Sequence, residues 1–171
     1  WDFHGERIID RILKMKNIFI GIMFLISLSP VAVMADYQEG RDAFDRGDYS
    51  TALKKFEILA KQNNPRGQYA LAVMYDIGEG VGKDYKEAMK WYLLAAERGN
   101  KDAPNNIGVL YMIGFGVPRS FAKAYTWFAI AGAGDSEAIR NKNFVEKKLT
   151  SDQLAESKRR AEEWRKIWLK R

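Results

Sequence analysis

Few side chains in this chain can carry covalent chemistry. It has 171 residues, no cysteine and one histidine. The missing cysteines exclude thiolate nucleophiles, disulfides and cysteine-held metals. The histidine, His4, lies in Trp1–Lys14, ahead of the first methionine, Met15. We read that stretch as an upstream extension, so Ser-His-Asp, Cys-His and histidine–zinc sites each lack a member. No metal and no cofactor is expected. Asp76 and Glu79 bring two carboxylates close to one turn, where charged residues are normally solvated. The sharpest chemical spacing is Ser120-Phe121-Ala122-Lys123, a serine three residues before a lysine. In that arrangement a lysine can activate the serine hydroxyl for acyl transfer, as in penicillin-recognising enzymes, although neither S-D-N nor K-T-G accompanies it.

What positions Ser120 gives it a simpler role. The stretch Pro65–Asn100 returns after 36 positions: Tyr75 falls on Tyr111, Gly78 on Gly114, Gly80 on Gly116, Ala88 on Ala124, Trp91 on Trp127 and Ala95 on Ala131. A fixed period of this length means stacked helical pairs. Under it, Ser120 replaces Asp84 at the start of a helix, where a short polar side chain caps exposed N–H groups. Capping therefore accounts for Ser120, and a hydrolase using Ser120 and Lys123 remains the remote alternative.

The helices follow from periodicity and stop signals. A first pair spans 36–64, with helices at Tyr37–Arg46 and Tyr49–Gln62 around Gly47-Asp48. In the second unit, 65–100, helix A covers Arg66–Ile77 and helix B Tyr85–Glu97. Asp84 caps helix B, with Glu87 completing a capping box, and Gly80 and Gly82 keep the turn supple. The third unit, 101–134, has Pro104 in its first turn, Gly108 at a close-packing position and helices Pro104–Ile113 and Phe121–Ala131. Residues 135–171 begin like another helix A. After Thr150-Ser151-Asp152 they end in a long helix striped with Leu154, Ala161, Trp164, Ile167 and Trp168, expected to cover the open face of the last repeat.

The N-terminal region reads as a targeting segment. Residues 15–35 combine basic Lys16, an apolar run from Ile18 to Leu28, a Ser29-Pro30 break and small residues before Asp36, the pattern of a cleaved secretory signal. We expect cleavage after Ala35 and a periplasmic or secreted protein; the alternative is an inner-membrane anchor, for which the run is barely long enough.

The net charge of +6 is uneven. Arg140–Arg171 holds 11 Lys and Arg against 5 Asp and Glu, whereas Asp36–Ile139 holds 13 against 14. A basic tail can meet nucleic acid or an anionic surface; the export signal argues against nucleic acid. Trp164 and Trp168 would suit a lipid or glycan contact, or would pack on the third repeat.

The pattern L-A/G-x-x-Y-x-x-G-x-G-V…A-x-x-W-Y/F-x-x-A resembles the Sel1-like repeat family, relatives of the tetratricopeptide repeat. Leu71-Ala72, Tyr75, Gly78 to Val81, Asp84, Ala88, Trp91-Tyr92 and Ala95-Ala96 carry it. Ile107-Gly108, Tyr111, Gly114 to Val117, Ala124, Trp127-Phe128 and Ala131 carry it again. The first pair looks more like a tetratricopeptide unit or a degenerate Sel1 unit. The resemblance implies an all-α, short right-handed solenoid with a C-terminal capping helix, acting as a non-enzymatic adaptor for a protein or peptide in the bacterial envelope. Some cysteine-rich relatives are linked to β-lactamase activity, but this chain lacks their cysteines. The expected binding face lies on the A helices: Tyr69, Val73 and Asp76, with Asn105, Val109 and Met112 one period on. The alternative is that Val73 and Val109 pack between repeats.

Overall fold

The computed structural model describes residues 30–132 and 134–168. Among them are eight helices and no strand: α1 (Pro30–Asp45), α2 (Tyr49–Lys61), α3 (Pro65–Ile77), α4 (Tyr85–Glu97), α5 (Ala103–Ile113), α6 (Phe121–Ala131), α7 (Ser136–Glu146) and α8 (Ser151–Trp168). Trp1–Lys14 and the apolar run Ile18–Leu28 lie outside the described residues. No helix among the described residues is long and apolar enough to cross a membrane.

Each helix from α1 to α6 packs on the next, giving a helical repeat solenoid. Its interior is built in three blocks. Ala52, Phe56, Leu59 and Met74 fill the first, Ala88, Tyr92, Ala95 and Ile107 the second, and Ala124, Phe128 and Val145 the third. Tyr75 and Trp91 touch both the first and second blocks, and Tyr111 touches the second and third. The periodic aromatics therefore join units that could not bury their apolar faces alone. Small residues set the spacing: a Cβ on Gly108 would meet the Phe128 ring at 2.5 Å.

Caps fall where the sequence places them, with one difference. Asp84 Oδ1 accepts from the N–H groups of Lys86 (2.9 Å) and Glu87 (3.1 Å). The expected return bond from Glu87 is absent. The Asp84 N–H already donates to the Tyr75 carbonyl at 2.9 Å, and the Glu87 carboxylate meets Lys90 instead. A reciprocal capping box does form at Thr150 and Gln153. The Gln153 N–H donates to Thr150 Oγ1 at 3.3 Å, and Gln153 Oε1 accepts from the Thr150 N–H at 3.1 Å.

Two departures concern the ends of the stack. Helix α1 starts at Pro30 rather than Tyr37 and runs through the Ala35–Asp36 junction. Contacts with α2 hold this extra length: Val33 packs on the first block, and Lys55 reaches Asp36 at 3.0 Å and Glu39 at 2.7 Å. At the other end, α8 lies on α6 and barely meets α7. Its contact stripe is Ser157, Ala161 and Trp164, at i, i+4 and i+7. Ser157, almost fully buried, donates to the Ala122 carbonyl at 3.1 Å, and Trp164 packs edge-on against Trp127 with ring centroids 5.3 Å apart. The expected capping role of the last helix thus takes the form of a direct seat on α6.

Candidate functional site

The A helices α1 and α3 leave an apolar pocket of about 220 Å³ between them. Helix α3 contributes Tyr69, Ala70 and Val73, α1 contributes Tyr37 and Phe44, and Phe56 of α2 closes the base. The aromatic rings brace one another: Tyr37 sits 5.9 Å from Phe56, and Phe44 lies 5.2 Å from Tyr49. Cations stand at the rim. Arg41 lines the pocket beside Asp45 at 4.0 Å, and the Arg66 guanidinium lies 5.9 Å over the Tyr37 ring. An apolar side chain would lose its water contact here while polar groups met Arg41 and Arg66.

The six expected binding residues divide. Tyr69 and Val73 line this pocket, although both also pack against the second core block. Asp76 is half-buried and accepts from the Tyr92 hydroxyl at 3.0 Å. Burial raises its pKa, while the Tyr92 hydrogen bond and Lys83 pull the other way. Burial, and next the Asp76 charge, pushes the Tyr92 hydroxyl upward, so it remains the donor. Asn106 donates to the Tyr69 hydroxyl at 3.4 Å, which ties α5 to the same patch. Asn105 does not share an open surface with Tyr69: it is 7% exposed, and its Oδ1 has no hydrogen-bond partner among the described residues. Val109 and Met112 both pack against the third core block. Pocket residues Tyr37, Arg41 and Phe44 were absent from the expected set. The signal for one was present: the 36-residue period carries Val73 back to Tyr37.

The Ser120–Lys123 pair adopts the capping arrangement. Ser120 Oγ accepts from the backbone N–H of Lys123 at 3.3 Å. The Lys123 ammonium lies 5.2 Å over the Tyr111 ring, and no bond joins it to Ser120 Oγ among the described contacts. A general base must lie within hydrogen-bond reach of the hydroxyl it activates.

In the basic tail, much of the charge is used within α8. Glu156 contacts Arg159 at 2.7 Å and Arg160 at 2.6 Å, and Arg159 also meets Glu163. Hydrogen bonds from Arg159, then Arg160, hold the Glu156 carboxyl down to about 2. No group of acidic or histidine residues suited to a metal ion occurs among the described residues.

Comparisons with known proteins agree with this architecture. The Sel1 repeat family model matches residues 65–100 and 102–136. No curated protein matches the chain. One similar solved structure is c5321, described as a protective antigen present in uropathogenic Escherichia coli strains displaying an SLR fold. It has a TM-score of 0.75 and 27% identity over 81% of this chain and 32% of its own. Another is a Sel1 repeat protein from Oxalobacter formigenes, with a TM-score of 0.61 and 29% identity over 75% of this chain and 55% of its own. The chain thus spans about a third of the first and just over half of the second. Sel1 repeats generally bind protein partners and the family is generally non-catalytic. Residues 65–136 are thus Sel1 repeats, two matched units in register inside one helical stack.

Proposed function

We propose that the chain is an interaction scaffold whose α1–α3 pocket takes an apolar side chain of a partner protein or peptide. The observation carrying this reading is the pocket itself: Tyr37, Phe44, Tyr69 and Val73 converge on it under a rim bearing Arg41 and Arg66. The test is site-specific photocrosslinking in native envelope fractions. A benzophenone side chain at exposed position 41 is expected to capture a discrete partner, and one at exposed Lys54 is not. Val73→Glu, which charges the pocket wall, is expected to abolish capture with the helical content retained. Equal capture at positions 41 and 54, or capture unaffected by Val73→Glu, would overturn the assignment.

The place of action in this reading is the bacterial envelope. The support is the 15–35 signal pattern, with cleavage after Ala35. Cleavage there would remove Val33 from its packing position and leave Asp36 and Glu39 to hold the shortened α1 through Lys55. N-terminal sequencing of exported protein should begin at Asp36; a mature chain retaining Ile18–Leu28 would refute cleavage.

A further inference from the structure

Where the stack ends, the helical pairing changes. In each preceding unit, helix A packs on its own helix B; α7 and α8 instead both lie on α6 and barely touch each other. The wedge between them is a cleft of about 370 Å³, within the usual range for small-ligand sites. Its floor is Tyr125, Phe128 and Ala129 of α6. At one end Lys158 of α8 reaches Glu146 of α7 at 4.0 Å. Further along α8, the Arg165 guanidinium donates to the Ala129 carbonyl, which holds the charge beside the apolar floor.

Two features set this cleft apart from a packing gap. The first is charge: Lys142, Lys158 and Arg165 line it against one lining carboxylate, Glu162. Lys158 also faces Glu146, but the three cations together still give the cleft a positive field that favours an anion. Lys142 stands one 36-residue period after Asn106, so the regular repeat has a neutral residue there. The second is Tyr125, one period after the buried core residue Met89. It is 4% exposed, so its ring and not a flexible thioether forms the floor of the cleft.

We propose that this cleft binds a small amphiphilic carboxylate. The apolar body lies on the Tyr125–Phe128–Ala129 floor, and the carboxylate accepts charge-assisted hydrogen bonds from Lys142 and Lys158, with Arg165 at the far end. The floor suits an apolar body, and three lining cations against one lining carboxylate suit an anion. This site is separate from the α1–α3 pocket, and its existence does not depend on that pocket's role.

Isothermal titration of the full chain with decanoate, kept below its micellar concentration, tests the assignment. Saturable one-site binding is expected, with decanol and acetate each weaker by at least about tenfold, because each lacks one half of the recognised chemistry. Lys142→Gln with Lys158→Gln is expected to weaken decanoate by at least about tenfold without altering the far-ultraviolet circular dichroism. Arg159→Gln with Arg160→Gln removes the same charge outside the cleft and should leave affinity unchanged. Absence of saturable decanoate binding would overturn the proposal. Equal binding of decanol or acetate, or equal losses in the two double variants, would overturn it as well, by showing general greasiness or general tail charge.

Discussion

Gly116 lies so close to Tyr85 that a Cβ placed on it would come within 2.6 Å of the Tyr85 carbonyl. Gly80 has the same relation to Tyr49, at 2.9 Å from its carbonyl oxygen, in the preceding joint. These glycines let the turn of one unit rest on the helix B start of the unit before. Gly116 also has φ +69, which an L side chain adopts at a cost of about 1–2 kcal/mol. Gly116→Ala is therefore expected to lower stability by about 2–4 kcal/mol, combining backbone strain with overpacking. Gly82, which has open space around it, should tolerate Ala within about 0.5 kcal/mol. Urea unfolding of both variants checks this contrast. Equal losses would show that the turn needs flexibility generally and not a close joint at Gly116.

The same pair marks how far the sequence could be read. Period and stop signals placed the helical pairs, and Asp84 and Ser120 cap where the repeat aligns them, because caps depend on a few consecutive residues. The reason for Gly80 and Gly116 was not legible as a contact, since Tyr49 and Tyr85 are distant in the chain. Glu87 turned to Lys90 because the Asp84 N–H already had the Tyr75 carbonyl, a partner only the folded turn supplies. Tyr69 and Val73 were legible as candidate binding residues, but the pocket beside them needs α1 and the distant Phe56 to form its other walls. Asn105 was misplaced because a helical wheel gives its direction, not the depth to which its neighbours bury it. That α8 covers the third repeat was legible from Ala161 and Trp164, but the part played by Ser157, a polar residue buried in the contact, was not.

Ser120 provides a test that separates capping from chemistry. Ser120→Ala removes the acceptor for the Lys123 N–H and is expected to cost about 1 kcal/mol. Ser120→Asp should restore stability, since Asp84 holds this position one period earlier. Nitrocefin turnover should stay at background in all three proteins. Hydrolysis by the parent chain that disappears in Ser120→Ala would establish serine chemistry and reverse the capping assignment.

The capping box at the start of α8 should be energetically coupled. Thr150→Ala is expected to destabilise by about 1 kcal/mol, because it leaves the Gln153 N–H without its side-chain acceptor. Gln153→Ala leaves the Thr150 N–H in the same position. In the double variant the two losses should fall short of additivity by about 0.5 kcal/mol. Hydrogen exchange should accelerate first in the opening turn of α8. Additive losses in a denaturation cycle would mean that the two bonds act independently.

The burial of Asp76 beside Tyr92 makes stability depend on pH in a direction opposite to that of an exposed carboxylate ion pair. Burial raises the folded-state pKa of Asp76, opposed by Tyr92 and by Lys83 across the turn. Between the ordinary aspartate range and that raised value, the folded state holds more protons than the unfolded one. This contribution to stability therefore falls as pH rises through that window and is flat above it. Asp76→Asn keeps a carbonyl oxygen for the Tyr92 hydroxyl but cannot ionise, so its advantage over the parent should grow as pH rises above the ordinary aspartate range and then level off. Tyr92→Phe acts in the other direction. It strips the half-buried carboxylate of the 3.0 Å donor and should cost about 1.5–3 kcal/mol where Asp76 is ionised, shrinking as Asp76 protonates. Tyr69, tilted 5.7 Å from Tyr92, remains in both variants, while Tyr92→Phe also removes the hydroxyl's interaction with Asn106, which makes Asp76→Asn the cleaner probe of the carboxylate. Urea midpoints across this pH range decide the matter: an Asp76→Asn variant that loses ground to the parent as pH rises would show that the ionised carboxylate stabilises the repeat.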